Sequence, residues 1–307
     1  MRAGDPRRVS VVIPTRNRPD QLSTCLEALA KQTFPRDRFD VLVVEDGGDE
    51  PLDSIIQSFV DRLSVRLIRQ SHTGPGRARN RGASAVTGGH LVFTDDDCVP
   101  TVDWLEKLAE RIQLNPDHMI GGQVLNALPG NLFSTVSQRL ITYLYVWFHG
   151  KPVHELRFFT TNNMAVPADR FREIGEFDSA HMLVAAEDRE LCDRWLEWGF
   201  EMTYAPEVRV YHAHDLNLRR FLDQHFSYGR GAHDYYLVRA RRGQSGLRFA
   251  GLRFYLGMVR YPFSETTTAR AILEAALLLL SQGAGAAGYF RERLRPRSGS
   301  PGKLSAK

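Results

Sequence analysis

Short runs of β-branched residues alternate with helical periodicity through the first half of the chain. Val9-Ser10-Val11-Val12-Ile13 has the pattern of a buried strand, and Leu22, Cys25, Leu26 and Leu29 then recur at helical spacing before a second strand, Val41-Leu42-Val43-Val44. Leu52, Ile55, Ile56 and Phe59 predict another amphipathic helix, Val65 to Ile68 a third strand, and Leu91-Val92-Phe93 a fourth. Alternation of this kind predicts βαβ units and an α/β fold. It stops near Asn131. An aromatic stretch (Leu140, Tyr143, Leu144, Trp147, Phe148) leads to Thr160-Thr161-Asn162-Asn163, a helix from about Ala186 to Trp198 ends at Gly199, and Val208, Val210, His212 and His214 alternate as in a strand. Beyond Leu216 the pattern is helical, and the terminal RSGSPGKLSAK has the composition of a disordered tail.

Composition narrows the class. With 307 residues and 43% hydrophobic content the chain is globular, neither disordered nor fibrous, and has one large core or two small ones. Its three cysteines, Cys25, Cys98 and Cys192, lack the short paired spacing of zinc sites or disulfide frameworks, and no signal-peptide core precedes Arg16 and Arg18, so a reducing, cytoplasmic setting is the expectation. The net charge of +4 hides an asymmetry. Residues 1–215 carry 24 basic against 31 acidic side chains, whereas residues 216–307 carry 16 against 5. Such a tail suits an anionic membrane surface or an anionic substrate. No nucleic-acid module is legible, and nucleic acid is not an expected partner. Residues 271–280 are apolar apart from Glu274, and the milder 281–290 that follow leave the segment at the lower margin of the ~20 residues of a spanning helix. An interfacial helix at the inner face of the cell membrane is the preferred expectation, with Arg291, Arg293, Arg295 and Arg297 beside it; a helical cap or a dimer contact is the alternative.

The polar groups follow the strands. Pro14-Thr15-Arg16-Asn17, Glu45-Asp46 and Asp95-Asp96-Asp97 all fall at carboxyl ends of predicted parallel strands, where ligands of open α/β sheets bind, and together they predict one crevice. Three adjacent carboxylates suit a hard divalent cation, Mg²⁺ or Mn²⁺, bridging to phosphates; a capped turn is the simpler alternative. Gly74-Pro75-Gly76-Arg77-Ala78-Arg79-Asn80-Arg81-Gly82 reads as a loop ahead of a helix, with three arginines that could neutralise a diphosphate. It is neither a P-loop nor a dinucleotide fingerprint. Glu187-Asp188 opens a helix, where carboxylates also suit the helix dipole, and one of them could accept a proton from an attacking hydroxyl. Either His212 or His214 could complete a metal site, although strand histidines are commonly structural.

The ordered segments VSVVIPTRNR, VVEDGG, GPGRARNRG, FTDDDCVP, TNNMAV, AEDRELCDRWLEWG and VYHAH resemble those of glycosyltransferase family 2, over roughly residues 8–235. The resemblance implies a GT-A fold: a Rossmann-like nucleotide-diphospho-sugar transferase domain with a mixed central sheet, here followed by a helical C-terminal extension. It implies a donor half (1–130) and an acceptor half (131–236); composition adds a basic helical extension (237–290), for which membrane association is one expectation, and a disordered tail (291–307). By the same resemblance, Pro14, Thr15, Arg16, Asn17, Glu45, Asp46, Arg77, Arg79, Asn80, Asp95 and Asp96 would line the donor site. Asp97, Asp95 and His212 would hold Mn²⁺ or Mg²⁺, Asp188 would be the base with Glu187 beside it, and Asn162, Asn163 and Trp195 would shape the sugar and acceptor pocket. Two positions depart from the family pattern: Glu45 stands for the usual first Asp of its pair, and Asn162-Asn163 follows two threonines where a glycine is common. The implied reaction is an inverting transfer from a nucleoside-diphosphate sugar, a UDP-sugar first, to an acceptor hydroxyl on a glycan, lipid-linked or small molecule. A sugar-1-phosphate nucleotidyltransferase and a catalytically silent sugar-nucleotide-binding protein are the competing readings.

Overall fold

The computed structural model describes residues 8–86, 89–149, 158–180, 185–244 and 251–295. Its first half is built of β1 (Val9–Thr15), α1 (Pro19–Ala30), β2 (Phe39–Asp46), α2 (Asp53–Phe59), β3 (Val65–Gln70), α3 (Pro75–Ser84) and β4 (His90–Phe93). Every residue of β2 and of β4 is buried, which is why those strands read as unbroken apolar runs rather than as alternation. The four buried positions of α1 are Leu22, Cys25, Leu26 and Leu29, one helical face against the sheet, and Pro19 starts the helix where a missing N–H costs nothing.

The expected loop 74–82 is itself a helix. Gly74, at φ +97, makes the turn that a residue with a Cβ would resist, and α3 begins at once with Pro75. Near its end Gly82 lies flat on the sheet: a Cβ there would collide with Val12 and come within 3.1 Å of Val44. Glycine is thus a packing requirement of this helix and not a sign of a flexible loop.

The second half comprises β5 (Cys98–Pro100), α4 (Trp104–Leu114), β6 (Met119–Asn126), α5 (Leu132–His149), β7 (Met164–Pro167), α6 (Ala168–Glu173), α7 (Glu187–Glu197) and β8 (Met202–His212). All eight strands join in one mixed sheet of order β3-β2-β1-β4-β7-β6-β8-β5. β1 to β4 are parallel, β7 is antiparallel to both β4 and β6, and β5 is antiparallel to β8. The chain winds outward from β1 to β3 and then returns to place β4 on the other side of β1. That reversal opens the crevice between the ends of β1 and β4.

The extension consists of α8 (Leu218–Arg241), α9 (Leu252–Arg260), a 3₁₀ turn (Tyr261–Ser264) and α10 (Thr268–Leu294). It shares a hydrophobic core with α5, centred on Val136, Leu140, Tyr143, Phe221, Phe254 and Leu278. The expected boundary at 236/237 falls inside α8, whose helix runs through it without a break. Residues 291–294, expected as disordered, are the last turn of α10; residues 296–307 lie outside the described residues.

Candidate active site

At the end of β1 the Thr15 hydroxyl donates to Asp96 (2.7 Å), and Arg18, at the cap of α1, donates to Asp96 (3.1 Å) and Asp97 (3.0 Å). Asp96 is therefore turned back into the protein. Its burial, reinforced by the neighbouring Asp97 and Asp95, pushes its carboxyl up to about 6 despite Arg18 and Thr15. The expectation that Asp96 faces the donor is corrected: it is the strut that joins β1 to β4 across the crevice.

Asp95 and Asp97 point elsewhere. Arg79, buried on the inward face of α3, donates to Asp95 (2.6 Å) and to Glu187 (3.1 Å), so one guanidinium bridges the end of β4 to the start of α7. Asp97 meets His212 because β5 pairs antiparallel with the end of β8, setting Cys98 opposite His212. Asp97 Oδ1 is buried and is partnered by His212 Nε2 at 3.2 Å. Burial alone would raise the Asp97 carboxyl, but His212, Arg18 and His214 outweigh it and hold it low. A buried carboxylate facing an imidazole nitrogen offers an oxygen and a nitrogen donor that fit a divalent cation, and the Asp97, Cys98 and His212 ligand atoms lie within 4.8 Å of one another. Burial drives the Cys98 thiol well above its ordinary value, and a neutral thiol suits a hard ion less well than the Asp97 carboxylate and the His212 imidazole. The ring of His214 stacks on that of His212 at 4.3 Å. Its two nitrogens have no hydrogen-bond partner, and burial followed by the charge of His212 lowers it to about 4.

Asp188 lies on the wall of the same cavity. Ala186 adopts a left-handed conformation (φ +72), which is strained for a residue with a Cβ, and from that turn Glu187 and Asp188 start α7 beside Arg79. Burial, and after it the Glu187 carboxylate, pushes Asp188 up to about 7. The cavity holds roughly 1750 Å³. Its lining includes Arg79, Asp95, Glu187, Asp188, His212 and Asn162 together with aromatic and aliphatic side chains of α5, α8, α9 and α10.

The remaining expected residues divide. Asn17, at φ +53, accepts from the Asp49 amide, and Arg16 donates to the Gly47 carbonyl and contacts His72, so the loops after β1, β2 and β3 are laced together. Pro14 is half-buried at the end of β1. Asp46 accepts from Gln70, from the amides of Thr73 and Gly74, and contacts His72; these contacts hold its carboxyl low against the effect of burial. Glu45 accepts from Arg69 (2.8 Å). Of the expected residues only Arg79, Asp95, Asn162, Glu187, Asp188 and His212 line the cavity, and four of the others lie on or within the protein away from it. Arg77 is on the exposed face of α3, and Asn80 is bonded both ways to the backbone of Phe177. Asn163 accepts from Trp104 and donates to the carbonyls of Gln123 and Val208, a buried bolt between three elements. Trp195 is fully buried, its indole N–H donating to Glu201. For these four the ligand-facing expectation is corrected.

A model of glycosyl transferase family 2 matches residues 10–172, which carry β1 to β4, the aspartates and Asn162. The chain belongs to glycosyl transferase family 2. Among curated family members it is 29% identical to the glycosyltransferase AglE of Haloferax volcanii, over 65% of either chain. It is 27% identical to the pre-mycofactocin glycosyltransferase of Mycobacterium tuberculosis, over 74% of this chain but 47% of that one; the chain therefore matches only about half to two thirds of these relatives' length. Among solved structures, the mannosyltransferase PcManGT of Pyrobaculum calidifontis, in complex with GDP-Man and Mn²⁺, superposes over 95% of this chain and 89% of its own, with a TM-score of 0.63 and 15% identity. Residues 1–349 of S. aureus TarS, in complex with UDP, superpose over 96% of this chain and 95% of that fragment, with a TM-score of 0.52 and 17% identity. The shared architecture is the GT-A fold with C-terminal helices.

Two contributions to this family 2 site escaped the sequence reading. Arg18 lies just past the strand-end segment, and its role becomes readable only once β1 and β4 are known to be neighbours. The aromatic wall from Tyr228, Tyr236, Phe254 and Tyr289 comes from a region read for its charge; the helical spacing of its aromatic residues was the available signal.

Proposed function

We propose that the chain transfers a sugar from a nucleoside-diphosphate sugar to an acceptor hydroxyl, with inversion at the anomeric carbon and Asp188 as general base. One observation carries this reading: a carboxylate poised at about 7 shares a cavity wall with Asp95 and Arg79, close to the Asp97–His212 pair. A base needs a pKa near the working pH, and Asp188 has one because burial and Glu187 disfavour its charge. Arg79 stays positive between Asp95 and Glu187, giving the cavity a fixed cation beside these carboxylates. A Mn²⁺ or Mg²⁺ ion held by Asp97 and His212, with Asp95 adjacent, would supply charge neutralisation to the departing nucleoside diphosphate. The acceptor hydroxyl attacks the anomeric carbon as its proton passes to the Asp188 carboxylate, and the bond to the diphosphate oxygen breaks on the opposite face.

UDP-sugars are the donors to test first, because TarS, with the same fold, is known in complex with UDP; PcManGT in complex with GDP-Man makes GDP-sugars the second set. The amphipathic cavity suits an acceptor with a polar hydroxyl end and an apolar body. Release of nucleoside diphosphate from a donor panel with Mn²⁺ or Mg²⁺ is the measurement. Asp188→Asn and Asp97→Asn should each lower turnover by roughly a hundredfold or more. Wild-type rates in Asp188→Asn would remove the base assignment; pyrophosphate release from a nucleoside triphosphate would favour the nucleotidyltransferase reading.

A further inference from the structure

One face of the helical extension stays exposed among the described residues. α10 exposes Ile272 (58%), Leu273, Leu279 (54%), Leu280, Phe290 and Leu294 (79%). At 100° per residue these positions fall within an arc of about 120°, and the residues between them on that arc are Ala276, Gly283 and Ala287. From Ala271 to Phe290 the arc carries no charge. By length and apolar composition α10 could also cross a membrane. Its opposite face forbids that placement in this fold. Gly288 lies against the Phe226 carbonyl and Gly285 against Gly229, so α8 and α10 touch backbone to backbone. Glu274, completely buried, is held by Arg139 (2.6 Å) and Arg270 (3.0 Å), and Glu292 by Arg230 (2.7 Å). A helix pinned along its length to the catalytic domain can lie on a bilayer but not run through one.

Neighbouring elements extend the face. α9 exposes Leu252 (73%) and Leu256, and the turn after it exposes Phe263. Residues 251–295 contain six arginines and three glutamates, a balance of +3, and all three glutamates are engaged with arginines. Arg253, Arg260, Arg291 and Arg293 have no ion pair among the described residues and border the aliphatic surface, while Arg295 pairs with Glu292 at 3.4 Å. Apolar side chains flanked by arginines, without a free acid among the described residues, match the boundary between acyl chains and anionic headgroups. The face is also continuous with the cavity, since Phe290 both lines the cavity and stands exposed on the stripe.

We infer that α9, the Tyr261–Ser264 turn and α10 form a docking face for an anionic lipid bilayer, with α10 lying in the membrane plane. This extends beyond the transferase reading and does not depend on it. The test is co-sedimentation of the full chain with phosphatidylcholine vesicles prepared with and without phosphatidylglycerol. Binding is expected to the anionic vesicles, to weaken as salt is raised, and to fall by about tenfold or more in Leu273→Glu/Leu280→Glu. Neither leucine lines the cavity, so nucleoside diphosphate release from soluble donor should be unchanged in that variant. If it does not fold, as judged by its thermal transition, Ile272→Ser/Leu279→Ser replaces it. A wild-type chain that stays in the supernatant with both vesicles would overturn the inference, as would folded variants that sediment like wild type. A dimer seen by light scattering, dissolved by the same substitutions in a chain that ignores vesicles, would assign the face to a second copy instead.

Discussion

At the residue scale, the reactivity of the site rests on how Asp188 is prevented from ionising early. It sits on a cavity wall with Glu187 beside it, and both conditions favour the protonated form. Arg79 would oppose this, but its two donors are turned to Asp95 and Glu187. Because the base must be deprotonated to act and its carboxyl is pushed up to about 7, kcat/KM should be low in acid, rise through pH of about 7 and then level off. Glu187→Gln removes the second of the two causes. The inflection should therefore move to lower pH, while the lost Arg79 contact scales the plateau separately. Nucleoside diphosphate release measured across pH at low donor decides it: an inflection that stays in place in Glu187→Gln means that the carboxylate pair does not set the profile. Asn163 and Trp195 teach the opposite lesson. Both are polar or amphipathic residues in a family segment, yet their hydrogen bonds are all spent on holding Trp104, Gln123, Val208 and Glu201.

At the scale of elements, glycines mark where helices approach something closely. α8 and α10 meet at Gly229 and Gly285, and a Cβ on Gly229 would strike the Gly285 carbonyl, a backbone group that cannot move aside. Gly229→Ala should therefore wedge the two helices apart and lower stability by about 1–3 kcal/mol. Gly283 lies in the same helix, two residues away from the seam, with nothing within 4 Å of its added Cβ. There the substitution to Ala should stabilise, by up to about 1 kcal/mol, through helix propensity alone. Chemical denaturation of both variants checks the pair; equal effects would mean that the seam is not tightly packed. The strands up to β4, with α1 and α2 between them, were legible because buried strands are runs of β-branched residues and α1 shows a single apolar face. α3 was misread as a loop because glycine and arginine are rare on a helix face that packs on a sheet. Here Gly82 supplies the close approach and Arg79 is buried by two carboxylates, neither of which lies near it in sequence.

Across the whole molecule, the sequence held the ingredients of the site but not their pairing. Strand-end polar groups predicted a crevice, yet Arg18 with Asp96, and His212 with Asp97, meet only because β4 returns beside β1 and β5 folds back on β8. The same long-range assembly ties ligand binding to global stability. Asp97 and His212 come from opposite sides of the β5–β8 pairing, so an ion shared between them bridges segments more than a hundred residues apart, and it does so only in the folded state. A ligand at a hundredfold excess over its Kd stabilises the fold by about 2.7 kcal/mol, which for a chain of this size is roughly 4 °C in Tm. UDP with Mn²⁺ should raise Tm by this order, whereas UDP with a chelator should raise it much less. Asp97→Asn should lose the cation-dependent part of the shift. Asp188→Asn should keep it, because the base contributes to the reaction and not to holding the diphosphate. Thermal unfolding of the three proteins under the two conditions separates donor binding from catalysis, and an undiminished cation-dependent shift in Asp97→Asn would move the metal site elsewhere in the crevice.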